Sequence, residues 1–240
     1  MNKTKKYIRI AVIILCTVIG CYGILRAPKS DKKDVEEELA HNEQMLMEEE
    51  SDNTASPTDT VQTAAPSPEM LNTAEAPTDT PAPIQEKSIT VIGDSVFLGA
   101  SQSFKKIYKD AVIDAKISRQ VFEAIDIAKK LNKKGKLGDT VIISLGTNGN
   151  FNEATGQQLI DYLGKDRTIY WVNVYGENLD TQKDVNNTID NLVSKNDNVY
   201  LINWAKKAKK HPDWFYQDGI HLNTDGQEGF SGFINKSMIL

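Results

Sequence analysis

Between residues 88 and 203 the chain alternates short β-branched, apolar runs with longer amphipathic stretches. The runs are SITVIG (88–93), AVIDAK (111–116), TVIISLG (140–146), TIYWVNV (168–174) and NVYLIN (198–203). Runs this short and this continuously apolar predict strands buried on both faces, as in a parallel sheet. Between them, Val121, Ile125, Ala128 and Leu131 recur at helical spacing with lysines on the far side, and Val185, Ile189 and Leu192 do the same. A last helix is predicted from Thr224, with Thr224 and Gln227 as its capping box and Phe230, Phe233 and Ile234 along its length. The alternation predicts an α/β fold over 88–240: a three-layer sandwich with a parallel sheet of about five strands. Ligands of such sheets gather beyond the carboxyl ends of the strands.

The first 87 residues follow other rules. A basic start, MNKTKK, precedes an apolar stretch, residues 7–25, interrupted by Arg9. A helix through that stretch would be about 28 Å long, close to the thickness of a bilayer core. Residues 1–26 therefore read as a basic cytoplasmic start and a membrane anchor or signal, which places the bulk of the protein outside the membrane. With no clear small-x-small cleavage site, a retained single-pass anchor is the expectation. VIGC at 18–21 offers the alternative of a lipoprotein modified at Cys21.

Residues 27–87 read as an acidic, then Pro/Thr-rich linker. In the acidic run 34–50, Val35, Leu39 and Leu46 stand at helical spacing, but the density of charge favours a solvated run over a helix. Residues 53–87, rich in Pro, Thr, Ala and Ser, cannot bury enough apolar surface to offset chain ordering and read as a spacer.

Charge narrows the partners. Residues 1–26 carry net +5, residues 27–87 net −11 and residues 88–240 net +1. The near-neutral last region has no excess of base for a nucleic-acid backbone, so nucleic acid is excluded as a partner. Both cysteines, Cys16 and Cys21, lie in the apolar stretch, which leaves the 88–240 region without a disulfide or a thiolate metal site.

Three short motifs carry candidate chemistry. VIGDSVFLGA (91–100) leaves the first strand on Gly93-Asp94-Ser95 and holds a serine where ligands gather. A serine nucleophile needs a base and a group to orient that base. His41 lies in the acidic run, and His211, before Pro212, reads as a turn histidine. His221 stands three positions after Asp218 in QDGIHL, a spacing that can bring a carboxylate against imidazole. Its plainer reading is an Asp-Gly turn followed by a helix cap. Asn148, in SLGTNGN after the third strand, can aim a side-chain N–H at an oxyanion, or can simply end a strand. No metal or other cofactor is implied, because Asp218 and His221 are better used by the serine.

Gly93-Asp94-Ser95, Gly146-x-Asn148 and Asp218-x-x-His221, in that order, resemble the block motifs of the SGNH (GDSL-like) hydrolases. DAKISRQ, SLGTNG and HPDWFYQDGIHL are similar, more narrowly, to the extracytoplasmic domain of bacterial peptidoglycan O-acetyltransferases. The resemblance covers 88–240 and implies a flavodoxin-like sheet, Ser95 as nucleophile, His221 as general base and acid, and Asp218 as its orienter. It also implies an oxyanion hole from the Ser95 N–H, Asn148 and the position of Ser118, where the family usually has glycine. The family's third block often ends in Asp, whereas Gly149 follows Asn148 here.

The implied function is a membrane-tethered serine O-acyltransferase or O-acylesterase acting on acyl, chiefly acetyl, groups of cell-wall glycan, or on small acyl esters. Related domains commonly follow a multi-helix membrane domain, so a separate membrane protein is the expected acyl donor. Among Trp171, Trp204, Trp214, Phe215 and Tyr216 a sugar platform is expected, with Trp171 assigned to the core. Two other readings stay open: a catalytically silent module that binds envelope glycan or protein, and a lipase-like esterase with an apolar cleft.

Overall fold

The computed structural model describes residues 31–52 and 88–238. The expected span 7–25, Cys21 and the Pro/Thr-rich spacer lie outside the described residues. Among the described residues no helix is long and apolar enough to cross a membrane.

Helix α1 (Asp31–Asp52) comes first, followed by β1 (Ile89–Gly93), α2 (Ser95–Ile107) and β2 (Val112–Ala115). A 3-10 turn, Val121–Glu123, then leads into α3 (Ala124–Lys133) and β3 (Thr140–Ser144). The chain continues through α4 (Glu153–Leu163), β4 (Thr168–Val172), α5 (Gln182–Lys195) and β5 (Val199–Ile202). It closes with α6 (Trp204–Ala208), a second 3-10 turn at Pro212–Trp214, and α7 (Thr224–Ser237).

The five strands form one parallel sheet in the order β2-β1-β3-β4-β5. This is the flavodoxin-like order, and it agrees with the three-layer fold expected from the pattern. Every residue of β1 and β3 is buried, which is why these strands read as unbroken apolar runs.

Alternate positions feed two cores. Ile92, Val141, Ile143, Ile169 and Trp171 pack with Ala128, Leu131, Leu159, Ile189 and Leu192 from α3, α4 and α5. The intervening positions, among them Val91, Ile142 and Tyr170, serve the other face. There α2 and α7 pack together, and Phe97 meets Phe104 and Phe230 edge to face. The sheet brings β1 and β3 side by side at its centre, so the segments after Gly93 and Ser144 emerge as neighbours. A Cβ at Gly93 would lie 2.7 Å from the Phe97 Cβ, so only glycine allows α2 to turn back so tightly over the end of β1.

Two expectations are corrected. The last helix is capped by Asn223, whose side chain accepts from the Gly226 N–H, rather than by Thr224. The acidic run is a helix, not a solvated strand of charge. Compact packing divides the chain between Glu37 and Glu38, and α1 crosses that division. Its first turns carry exposed Lys32–Glu36 and Lys33–Glu37 pairs. From Glu38 onward it packs within the unit that holds the sheet, with Leu39 and Asn42 buried. Charge count misled because the acids occupy the remaining positions while Leu39 and Asn42, three apart, share one face.

Candidate active site

Ser95 is the first residue of α2, held at the end of the central strand and almost wholly buried. Asp94 caps that helix: its Oδ1 accepts from the Val96 N–H at 3.0 Å, and its own N–H donates to the Ser144 carbonyl at 3.0 Å. The cap and the β1–β3 pairing thus fix where the serine emerges.

The Asp218–His221 turn arrives from the other end of the chain. Phe215 and Leu222 bridge antiparallel, and the Tyr216 N–H donates to the His221 carbonyl at 2.9 Å. Gly219, at φ +67°, lets the turn close. Asp218 Oδ1 accepts from the Ile220 and His221 N–H groups, each at 2.9 Å, so the carboxylate is fixed by backbone before it meets the ring. Its Oδ2 stands 2.6 Å from His221 Nδ1, and His221 Nε2 stands 3.0 Å from Ser95 Oγ. A carboxylate only accepts, so Nδ1 carries the ring proton and Nε2 is free to accept from the serine hydroxyl.

Burial alone would raise the pKa of Asp218, but hydrogen bonds from the ring and the two amides outweigh it and hold the carboxyl below its ordinary value.

Asp94 behaves oppositely. Its complete burial raises its carboxyl to about 6, although the Val96 amide and nearby Thr147 pull it part of the way back. Oδ2 has no hydrogen-bond partner of normal geometry. A raised carboxyl favours the folded state below its ordinary value of 3.8, and that contribution is lost as pH rises through about 6. The loss is about 3 kcal/mol for a shift of this size. Asp94→Asn keeps the acceptor for Val96 and removes the ionisation. Its melting temperature is expected to exceed wild type at pH 8 by several degrees, with the difference shrinking as the pH falls from about 6 to below 3.8; equal differences at pH 8 and pH 3 would contradict this.

Two loops complete the cleft. After β2 the Lys116 N–H donates to the Gly93 carbonyl at 3.2 Å, and the Arg119 guanidinium, itself buried, donates to the same carbonyl at 3.1 Å while pairing with Asp114 at 2.5 Å. Between them Ser118 sits at φ +59°, the one non-glycine residue with positive φ among those described. The loop after β3 joins this one: Asn148 Nδ2 donates to the Arg119 carbonyl at 3.3 Å, and Gln120 Nε2 donates to the Asn148 carbonyl at 2.7 Å. Ser118 and Asn148 are thus held together beside the strand end that carries Ser95. Arg119 and Gln120 do the holding, and sequence reasoning gave them no role.

The left-handed Ser118 conformation costs about 1 kcal/mol that glycine would avoid, against a comparable entropic penalty of glycine in the unfolded chain. Ser118→Gly is therefore expected to leave both stability and activity within about threefold of wild type, because the role that the resemblance implies for this position asks only a backbone N–H of it. Asn148→Ala, which removes a side-chain donor, is expected to lower kcat about 100-fold. Steady-state kinetics on the pair separate a backbone donor from a side-chain donor.

The remaining candidates fall elsewhere. His211 stacks on Trp214 with ring centres 3.8 Å apart, and His41 is exposed on α1. Trp171 and Trp204 are both core residues, which limits any aromatic platform to Trp214, Phe215 and Tyr216. Among the described residues no group of three or more His, Cys, Asp or Glu side chains is placed to hold a metal ion.

Known proteins resemble this chain to different depths. No family model matches the chain. Over 156 residues it is 36% identical to the O-acetyltransferase OatA of Staphylococcus aureus, a match that takes in 65% of this chain and 26% of that protein. The catalytic domain of the Streptococcus pneumoniae peptidoglycan O-acetyltransferase A superposes with a TM-score of 0.57 at 23% identity, covering 62% of this chain and 91% of that one. The domain has the SGNH-type fold. A family 3 carbohydrate esterase from Clostridium thermocellum shares the same SGNH-type fold, with a TM-score of 0.52 at 19% identity over 64% of this chain and 95% of that one. The chain spans about a quarter of the length of the S. aureus relative, so the SGNH-type domain is the part held in common.

Proposed function

We propose that the SGNH-type domain transfers or hydrolyses O-acetyl groups of cell-wall glycan through an acetyl-Ser95 intermediate. The observation that carries this reading is the continuous chain Asp218 Oδ2–His221 Nδ1 at 2.6 Å and His221 Nε2–Ser95 Oγ at 3.0 Å, ending at the sheet edge. The naming of its relatives as O-acetyltransferases supports the acetyl group and the wall glycan.

In this reading Ser95 Oγ attacks the ester carbonyl as His221 Nε2 takes its proton. The oxyanion is met by the Ser95 N–H, an unpaired amide of the first turn of α2, together with the Ser118 N–H and the Asn148 side chain. His221 then returns the proton to the departing alcohol, which leaves the acetyl group on Ser95. In the second half a sugar hydroxyl or water attacks that acyl group, His221 takes the attacker's proton, and Ser95 recovers it on release. Transferase and esterase differ only in the attacker.

The apolar stretch 7–25 supports tethering of this domain outside the membrane, by a retained anchor or by lipid on Cys21. The deciding experiment incubates the full chain with an activated acetyl ester, with and without a wall-type oligosaccharide, and follows both acetyl-Ser95 by mass spectrometry and the products. Acetylated sugar establishes a transferase, and free acetate alone an esterase. Absence of both products and of acetyl-Ser95 would favour the silent binding module.

A further inference from the structure

Helix α1 contacts both segments that carry the Ser95–His221 pair. The Glu38 carboxylate accepts from the Tyr216 hydroxyl at 2.9 Å and, through its other oxygen, from Gln227 Nε2. That same amide nitrogen, buried at the start of α7, also donates to the Leu222 carbonyl at 3.1 Å. Glu38 therefore grips the His221 turn on both sides, at Tyr216 before the histidine and at Leu222 just after it.

Asn42 lies one helical turn further along α1 and is nearly inaccessible. Its Nδ2 donates to the carbonyls of Leu98 and Gly99, at 3.2 and 3.0 Å, in the first turns of the helix that Ser95 begins. Leu39 packs over Gly99 between these two contacts, and Glu49 pairs with Lys105 of α2 at 2.7 Å. One face of α1 thus spans two segments, one carrying the nucleophile and one the base, that are 126 residues apart in sequence.

We infer that α1, through Glu38 and Asn42, is a positioning element of the catalytic centre that holds the His221 turn in register with Ser95. The inference rests on the proposed role of that pair. Neither Glu38 nor Asn42 touches the reacting atoms: Glu38 acts through Tyr216 and Gln227, and Asn42 through the α2 backbone. Polar contacts suit this purpose better than apolar ones, because a hydrogen bond specifies direction as well as proximity. A displacement of the order of 1 Å between nucleophile and base is enough to lower a rate about 100-fold.

The test uses the full chain bearing Glu38→Ala, Glu38→Gln, Asn42→Ala or, as a control on the same helix, Glu50→Gln, which alters the exposed pairing with Lys134. Ester turnover is measured at a temperature where circular dichroism shows every variant folded. Glu38→Ala and Asn42→Ala are expected to lower kcat roughly 10- to 100-fold with KM within about twofold. Glu38→Gln, which can still accept from Tyr216, should fall between wild type and Glu38→Ala, and Glu50→Gln should match wild type.

The second readout is the imidazole Nδ1–H resonance of His221 in the full chain. It is expected to shift or broaden in Glu38→Ala and to stay in place in Glu50→Gln, whether or not the ester chosen is a substrate. Full wild-type kcat together with an unmoved His221 resonance in Glu38→Ala and Asn42→Ala would overturn the inference and leave α1 as a stabilising attachment. A wild-type chain without turnover would instead count against the proposed function, and the resonance alone would then decide the role of α1.

Discussion

Ser95→Ala is expected to lower ester turnover by about 10⁴-fold or more while leaving the fold intact. In serine enzymes whose nucleophile and base act as a unit, removal of the nucleophile alone forfeits nearly all of their joint contribution. The proposed function gives Ser95 that position, and its hydroxyl is the group that His221 Nε2 faces at 3.0 Å. The fold has little to lose. Residue 95 opens α2, alanine is the best of helix formers, and the cap from Asp94 runs to the Val96 amide rather than to the serine. Thermal denaturation should therefore coincide with wild type to within about 4 °C, since the loss of one part-buried hydrogen bond is worth about 1 kcal/mol. A variant retaining more than about 1% of wild-type turnover would mean that the acyl group never rests on Ser95. A variant that is inactive because it is unfolded would say nothing of chemistry, so the two measurements are made on the same preparation.

Chemistry and scaffold were legible in the sequence to different degrees, for a physical reason. A central strand of a parallel sheet is apolar on both faces, so β1 and β3 announced themselves as unbroken runs. Ser95 and the Asp218–His221 turn were legible because each depends on neighbours within three residues: Asp94 caps its own helix, and Asp218 binds the Ile220 and His221 amides. Arg119 and Gln120 were not legible. Their partners Gly93 and Asn148 lie 26 and 28 residues away, and a buried arginine looks on paper like any surface arginine. Glu38 and Asn42 are the extreme case, with partners up to 189 residues distant, inside a run whose charge suggested solvent. Local motifs reveal the reacting groups, whereas the groups that hold them in place are found through the fold.

Asp218→Asn is the more discriminating of the large effects, because it changes a proton rather than a shape. Asp218 does two things with two oxygens: Oδ1 accepts from the Ile220 and His221 amides, and Oδ2 faces His221 Nδ1 at 2.6 Å. Asparagine can keep the first role, since its carbonyl oxygen still accepts from both amides. Its NH₂ then takes the place of Oδ2 and becomes a donor to the ring. A donor there forces Nδ1 to accept, so the imidazole proton moves to Nε2, the nitrogen that must take the proton of Ser95. The turn survives and the base is in the wrong tautomer. A fall of about 10⁴-fold in kcat is expected, with KM and melting temperature close to wild type. Asp218→Ala removes both roles, and its turn should loosen as well as its chemistry fail. A kcat for Asp218→Asn within tenfold of wild type would show that the carboxylate serves the turn alone, and that the Nδ1 proton of His221 is set by something other than its closest partner.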